Sequence, residues 1–135
     1  GGDDYAASIG AVRQPKEGSP ELLTARQTVV MNARAYGLQA IDIVSIDLSG
    51  SHNLMAEALS GARMGFTGKQ IIHPKQIEPV QTAFTPSPES IAAAQELVDA
   101  FEEHAAKGLG AFTFKGQMID NPTVLQARNL LAQVV

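Results

Sequence analysis

LQAIDIVSIDL, residues 38–48, decides the fold class, because this apolar run is rich in β-branched residues and short enough to form a buried strand. The residues around it predict a helix at 19–37, a turn at 49–51 and a second helix at 53–64. A further short apolar run, FTGKQIIH at 66–73, predicts another buried strand. Helices that alternate with buried strands indicate a parallel α/β architecture.

The later part of the chain predicts a different, non-alternating arrangement. Ser87-Pro88-Glu89 is a helix-start signal with Ser87 as the cap, and it opens the longest predicted helix. A β-hairpin is predicted at 111–119, with its turn at Lys115-Gly116, and a last helix follows Pro122. The chain is therefore expected to end in a helix–hairpin–helix segment.

The composition is that of a globular protein. Apolar residues make up 44% of the chain, and the net charge of −4 comes from interspersed acidic and basic residues. This pattern offers no basic groove for nucleic acid and no patch for an anionic membrane surface. The apolar runs are too short for a transmembrane helix. The absence of cysteine excludes disulfide scaffolds, thiolate zinc sites and cysteine nucleophiles.

The first five residues, GGDDY, are a candidate functional site and also a candidate for the end of a third strand. Asp3 and Asp4 follow two glycines, which allow a close backbone approach, and paired carboxylates suit a hard cation such as magnesium. The same spacing also fits an exposed acidic turn. The residues alone leave both interpretations open.

Two polar residues end the predicted buried strands, where parallel α/β folds place their sites. Asp47 ends the first strand and is either a site residue or a cap of the following turn. His73 ends the second strand and is a base, a ligand or a hydrogen-bonded structural residue. Asp42 lies five residues before Asp47 and points to the opposite face of the strand, so we expect a structural role for it.

The other charged residues give weaker signals. Asp120 directly precedes the last predicted helix, and its position alone predicts an N-cap. The basic residues are scattered, and we expect most of them to lie on solvated faces. They include Arg13, Lys16, Arg26, Arg34, Arg63, Lys69 and Lys75.

Four stretches together resemble the citrate lyase beta-subunit-like branch of the HpcH/HpaI aldolase superfamily. They are GGDDYAASIGA, LLTARQTVVMNARAYGLQAIDIVSIDL, GARMGFTGKQIIHPKQIEPVQTAFTPSPE and GAFTFKGQMIDNP. They follow the family's order over essentially the whole chain. The combination of G-F-x-G-K-x-x-I-H-P with a later F-x-P-S-P-E and G-x-M-I-D is specific. Within the family, the resemblance is to the citramalyl-CoA lyase type.

The resemblance implies a TIM (β/α)8 barrel with a helix–hairpin–helix C-terminal extension. Residues 1–84 would then be the last βα units of the barrel, and residues 85–135 would be the extension. The arginine and the first metal-ligating glutamate that the family places early in the barrel lie upstream of the matched stretches. We therefore expect the chain to be a C-terminal fragment of a longer protein, inactive and prone to association when isolated.

The same motifs imply roles for particular residues. In the family's G-x-E-D-F-type motif the second acid ligates magnesium, which implies Asp4 as a metal ligand with Asp3 as a weaker neighbour. In the M-I-D motif the aspartate is the proposed acid/base, which implies that Asp120 is catalytic. The I-H-P segment lies beside the CoA pocket, so His73 is expected close to the substrate, and we expect the same of Asp47.

The activity implied by the resemblance is a Mg²⁺-dependent carbon–carbon lyase of the oxo-acid-lyase type. It would cleave a 3-hydroxyacyl-CoA such as citramalyl-CoA to acetyl-CoA and a 2-oxo acid such as pyruvate. The alternatives are a citryl- or malyl-thioester lyase, a malyl-CoA thioesterase and, outside enzymes, a catalytically silent acyl-CoA-binding module.

The resemblance also implies partners and a compartment. The expected partners are an acyl-CoA substrate and further copies of the protein in a homotrimer, in which the extension brings Asp120 to a neighbouring subunit's site. No nucleic-acid or membrane partner is expected. The compartment would be the mitochondrial matrix in a eukaryote and the cytoplasm in a bacterium.

Overall fold

The computed structural model describes residues 1–47, 51–108 and 112–134, without the side chains of Glu17, Ser51 and His52. The described contacts divide the chain into a first unit, residues 1–84, and a second unit, residues 85–135. The end of the first predicted strand and the start of the predicted turn, residues 48–50, lie outside the described residues, as does Ala111 at the start of the predicted hairpin.

After the first helix, helices and short strands alternate in the first unit, as the sequence predicts. The elements are α1 (Gly2–Ser8), α2 (Leu23–Ala35), β1 (Ile41–Asp42), α3 (Ser51–Met64), β2 (Gly68–Lys69) and α4 (Ile77–Phe84). Short 3₁₀ turns precede α2 and α4. They are Pro15–Glu17, Pro20–Leu22 and Pro74–Gln76.

The first residues form a helix and not the end of a strand, so that prediction is wrong. The amide of Tyr5 donates to the carbonyl of Gly1 at 3.0 Å, which closes the first helical turn, and the alanines that follow favour a helix. Asp3 and Asp4 lie in this first turn. Negative side chains there complement the partial positive charge of the unpaired amides.

Helix α2 begins later than the sequence predicts. Ser19 has a φ of 55° and its side chain accepts no capping hydrogen bond, whereas an N-cap residue normally has an extended backbone. The 3₁₀ turn Pro20–Leu22 intervenes, and α2 starts at Leu23. At the other end, Gly37 has a φ of 65°. This left-handed conformation ends the helix as predicted.

Strands β1 and β2 pair in parallel, as the α/β pattern predicts. Their two residue pairs are Ile41–Gly68 and Asp42–Lys69. One backbone hydrogen bond continues the pairing at each end, from Thr67 N to Ala40 O at 2.8 Å and from Gln70 N to Asp42 O at 3.0 Å. The ladder is thus much shorter than the predicted strands at 38–48 and 66–73.

After Asp42, side chains take the place of backbone partners. The Ile43 amide donates to Asp42 Oδ1 at 2.9 Å, and Lys69 Nζ donates to the Ile43 carbonyl at 2.7 Å. Further along, Gln76 Nε2 donates to the carbonyl of Ser45 at 3.1 Å. The segment that leaves β1 is therefore held by specific side-chain contacts, because buried backbone groups need a hydrogen-bond partner.

Two apolar clusters form the core of the first unit. The first packs α2 against the residues that flank the strands and contains Val30, Ala33, Ala40 and Phe66. The second packs α3 against α4 and contains Leu54, Ala58, Val80 and Ala83. Helices thus cover the short ladder and fix the direction of the segments that leave it.

The second unit contains the predicted helix, hairpin and helix. The elements are α5 (Pro88–Ala106), β3 (Phe112–Phe114), β4 (Gln117–Ile119) and α6 (Asn121–Leu131). Ser87 Oγ accepts a hydrogen bond from the Ser90 amide at 3.1 Å, which confirms the predicted cap of α5. The core joins α5, β4 and α6 through Ala94, Val98, Ile119, Val124 and Ala127.

The turn of the hairpin lies where the sequence places it. Lys115 and Gly116 have φ angles of 47° and 79°, and two successive positive φ angles are typical of a type I′ turn that matches the twist of the strands. Lys115 Nζ donates to Glu96 on α5 at 2.6 Å. This contact ties the hairpin to the helix.

Across the described residues, no helix is both long and apolar enough to span a membrane.

Candidate functional site

A glycine brings the acidic first turn close to the end of β1. A Cβ at Gly2 would lie 2.9 Å from Arg13 Nη1, 3.1 Å from Leu22 Cδ1 and 3.5 Å from Ile43 Cδ1. Only glycine allows this approach without displacing a neighbour. Because Ile43 directly follows β1, the start of α1 lies beside the carboxyl end of that strand, which is where parallel α/β folds place their sites.

The two carboxylates of this turn have different surroundings. Asp3 Oδ1 accepts a hydrogen bond from Arg13 Nη1 at 2.8 Å, and the same guanidinium lies 3.4 Å from Glu21. The Asp4 side chain is 94% exposed. Asp3 is therefore already paired, whereas Asp4 is accessible to a ligand from solution.

The donor chemistry of Asp4 fits magnesium. This ion is commonly held by one or two carboxylates together with waters and substrate oxygens, so a single accessible carboxylate suits an open site. No group of three or more His, Cys, Asp or Glu side chains comes together in the parts of the chain that the structure describes.

A buried ion pair joins α2 to β1. Arg26 Nε donates to Asp42 Oδ1 at 2.9 Å, and Arg26 Nη2 donates to Asp42 Oδ2 at 2.6 Å. The Asp42 side chain is fully buried and that of Arg26 is 8% exposed. The predicted structural role of Asp42 is supported, while Arg26 is an exception to the expected solvated faces.

Lys69 is a second buried cation. Its side chain is 1% exposed and lies 3.4 Å from Glu57, in addition to its hydrogen bond to the Ile43 carbonyl. Burial lowers the pKa of the Lys69 ammonium, although the carboxylates of Asp42 and Glu57 act in the opposite direction. Only the position of Lys69 inside a short apolar run indicates this burial from the sequence.

Asp47 and His73 both follow the ladder at its carboxyl end. Asp47 is half-buried, and its Oδ2 accepts a hydrogen bond from Asn53 of α3 at 2.9 Å. His73 is exposed, and its Nδ1 accepts a hydrogen bond from the Lys75 amide at 3.1 Å, which caps the 3₁₀ turn Pro74–Gln76. A structural contact is thus present at each residue, and a role beside the substrate stays a prediction for both.

A small cleft lies between the loop before α2 and the first turns of α3. Its polar lining includes Lys16, Asn53 and Ser60, and its volume is about 140 Å³. Pockets that enclose a drug-sized ligand measure roughly 300–1,000 Å³. The cleft is therefore too small to enclose an acyl-CoA, although Asn53 connects it to Asp47.

Asp120 caps the last helix of the second unit. Its Oδ1 accepts hydrogen bonds from Thr123 Oγ1 at 2.7 Å and from the Thr123 amide at 3.1 Å. These two bonds, the hydroxyl first, lower the pKa of the exposed Asp120 carboxyl. The N-cap interpretation is supported. Both bonds from Thr123 end on Oδ1, so Oδ2 takes no part in this cap.

Residues 1–74 match the family model described as HpcH/HpaI aldolase/citrate lyase. The chain belongs to this family. It is 52% identical over 131 residues to the mitochondrial citramalyl-CoA lyase of Mus musculus. The aligned region covers 97% of this chain and 38% of that protein. It is also 35% identical to the citrate lyase beta subunit of Escherichia coli K12, over 98% of this chain and 43% of the subunit.

A solved structure superposes closely on the chain. It is the CitE protein of Mycobacterium tuberculosis in complex with magnesium, acetoacetate and coenzyme A, with a TM-score of 0.83 and 32% identity. The match covers 98% of this chain and 49% of CitE.

The predicted fold class, α/β as part of a TIM barrel, is confirmed. The chain spans less than half the length of the relatives named here. Assignment of residues 1–84 to the barrel and 85–135 to the extension stays a prediction.

Thr123→Val should raise the pKa of Asp120 towards its ordinary value, because the hydroxyl bond is lost while the amide bond remains. Carbon-detected NMR titration of the Asp120 carboxyl measures this. A pKa that is lower in the folded state stabilises the fold above the unfolded pKa, and the effect is lost as pH falls through the folded pKa. The difference in Tm between the two proteins should therefore shrink in acid. Thr113→Val, at an exposed hairpin position, is the control, and an unchanged Asp120 pKa would contradict the observed cap.

Proposed function

We propose that the protein containing this chain is a Mg²⁺-dependent carbon–carbon lyase that cleaves a 3-hydroxyacyl-CoA such as citramalyl-CoA. The products would be acetyl-CoA and a 2-oxo acid such as pyruvate. The observation that supports this most is the extent of similarity to mitochondrial citramalyl-CoA lyases, 52% identity over nearly the whole chain. The coenzyme A and magnesium in the CitE complex support the same class of substrate and cofactor.

Asp4 would contribute a carboxylate ligand to the metal. Its exposure and its position beside the end of β1 support this role, and Asp3 next to it is a weaker candidate because Arg13 already pairs with it. Magnesium bound there would supply Lewis acidity that offsets negative charge on the substrate's oxygens.

Asp120 would move the proton that the reaction requires. Cleavage sends the electron pair of the broken carbon–carbon bond to the acetyl fragment, which must gain a proton, while the 3-hydroxyl loses one as it becomes a ketone. With its pKa lowered by Thr123, the Asp120 carboxyl is ionised near neutral pH and suits removal of a proton in the condensation direction. Donation during cleavage requires a higher pKa, which burial in a closed site would produce.

The protein would act as a homotrimer in which Asp120 serves the site of a neighbouring subunit. Its place in the second unit, on a short loop fixed between the hairpin and α6, supports delivery of the carboxylate by a separate element. The protein would work in the mitochondrial matrix of a eukaryote or in the cytoplasm of a bacterium.

A product assay on the full-length protein tests the proposed reaction. With citramalyl-CoA we expect acetyl-CoA and pyruvate in equal amounts, and removal of Mg²⁺ with EDTA should abolish turnover because the metal offsets the developing charge. Malyl-CoA and a citryl thioester test the related lyases. Release of free CoA with an intact hydroxy acid would instead indicate a thioesterase, and binding without turnover would indicate a catalytically silent acyl-CoA-binding module.

Asp4→Ala should weaken Mg²⁺ binding in the full-length protein, because a hard cation loses a charged oxygen ligand. Isothermal titration calorimetry measures the affinity. We expect a smaller loss for Asp3→Ala and none for Asp99→Ala, which removes an exposed carboxylate from α5. If Asp4→Ala binds the metal as wild type does, Asp4 is not a ligand.

Asp120→Asn should abolish turnover while Mg²⁺ and CoA-ester binding stay nearly intact. Asparagine preserves the size of the side chain and caps helices about as well as aspartate, but it cannot exchange a proton near neutral pH. Loss of general acid–base catalysis lowers kcat by roughly a hundredfold to ten-thousandfold. A kcat equal to that of wild type would show that Asp120 is only a helix cap and not the acid/base of the reaction.

Mixing the Asp4→Ala and Asp120→Asn proteins then tests the trimer. If each site combines Asp4 of one subunit with Asp120 of the next, random mixing restores about a quarter of the sites. Activity that stays absent after subunit exchange would place both residues in one subunit's site.

A further inference from the structure

Gln76 holds two segments of the first unit together through its side-chain amide. Its Oε1 accepts a hydrogen bond from the Ile72 amide at 2.8 Å, and its Nε2 donates to the carbonyl of Ser45 at 3.1 Å. The residue is 4% exposed. A glutamine side chain presents the same donor and acceptor as a peptide group. Gln76 therefore bridges two backbones that no longer pair directly.

This bridge lies where the strands diverge. Backbone pairing between β1 and β2 ends with the hydrogen bond from Gln70 to Asp42. Beyond it, the chain after β1 continues to Ser45 and then Asp47, while the chain after β2 continues through Ile72. The Gln76 amide thus replaces the ladder at the carboxyl edge.

Gln76 is also fixed to His73 by the backbone. Its amide donates to the His73 carbonyl at 2.9 Å, and the His73 ring accepts from the Lys75 amide within the same 3₁₀ turn. A displacement of Gln76 would therefore displace His73. It would also release Ser45, which lies two residues before Asp47.

We infer that Gln76 is a positioning residue that sets the distance between the segments bearing Asp47 and His73. This inference rests on the proposed function and on the expectation, from the family resemblance, that both residues lie close to the CoA ester. Gln76 acts through these segments and needs no contact with the substrate itself. Its two hydrogen bonds have different donors, so the bond to Ser45 can be removed while the bond from Ile72 is kept.

Two substitutions in the full-length protein separate the bonds. Gln76→Met keeps the length of the side chain and removes both hydrogen bonds. Gln76→Glu keeps an acceptor for the Ile72 amide but places an oxygen against the Ser45 carbonyl. Gln95→Met is the matched control, because Gln95 is an exposed residue of α5 whose side chain contacts Asp99.

Three measurements are made on each protein. They are hydrogen exchange at the Ile72 amide, the Kd for acetyl-CoA by calorimetry in the presence of Mg²⁺, and kcat and KM with citramalyl-CoA. We expect faster Ile72 exchange in Gln76→Met alone and a rise of about tenfold or more in Kd and KM in both Gln76 variants, because small displacements of a binding group weaken binding strongly. The kcat per folded enzyme should change much less.

The outcomes separate this inference from the proposed function. A role in stability alone would lower Tm while Kd and KM stay constant, and that result would overturn the inference, as would unchanged Ile72 exchange in Gln76→Met. If wild type binds acetyl-CoA but turns over no acyl-CoA, the proposed lyase activity fails, and a higher Kd in the variants still supports the role of Gln76. Should Gln76→Met fail to fold, Gln76→Glu decides from Kd and KM.

Discussion

The buried ion pair between Arg26 and Asp42 is the constraint on which the first unit depends. The forked guanidinium of α2 meets both oxygens of a carboxylate on β1, and its charge also lies 5.7 Å from the Phe66 ring. Gly61 of α3 completes the arrangement, because a Cβ there would collide with Asp42 Oδ2. Removal of one partner from a buried pair typically costs about 3–5 kcal/mol. The pair therefore fixes which faces of two helices meet the strand.

This constraint has a consequence for the edge where a ligand would bind. The ion pair fixes β1 to α2, but the chain beyond Asp42 still needs hydrogen-bond partners for its buried backbone groups. Lys69 and Gln76 supply them from β2 and the following turn. Side-chain partners leave the strands free to diverge, and divergence exposes the carboxyl edge. A short ladder is thus compatible with a well-defined edge.

The sequence predicts the order and type of elements better than their lengths. Periodicity and glycine positions located α2 and α3, the Ser87 cap located α5, and the Lys115-Gly116 turn located the hairpin, because these signals are local. The first helix was instead predicted as the end of a strand. The burial of Arg26 could not be predicted, since its partner Asp42 is sixteen residues away. The positive φ of Ser19 could not be predicted either. Its amide donates to the Gln14 carbonyl, and composition does not reveal this backbone contact. Roles at the candidate site came from resemblance to the family, and local spacing could not supply them.

Asp120 shows why a structural contact does not exclude a chemical role. The hydrogen bonds that make it a cap also lower the pKa of its carboxyl, since both favour the charged form. An ionised carboxylate with an oxygen that takes no part in the cap is what a general base requires. The cap also fixes the Asp120 side chain to Thr123 of α6. The orientation of the carboxyl is therefore set by α6 and not by the hairpin alone. Under the proposed function, capping would use Oδ1 and proton transfer would use Oδ2, and the cap would favour the charged form that removes a proton in the condensation direction.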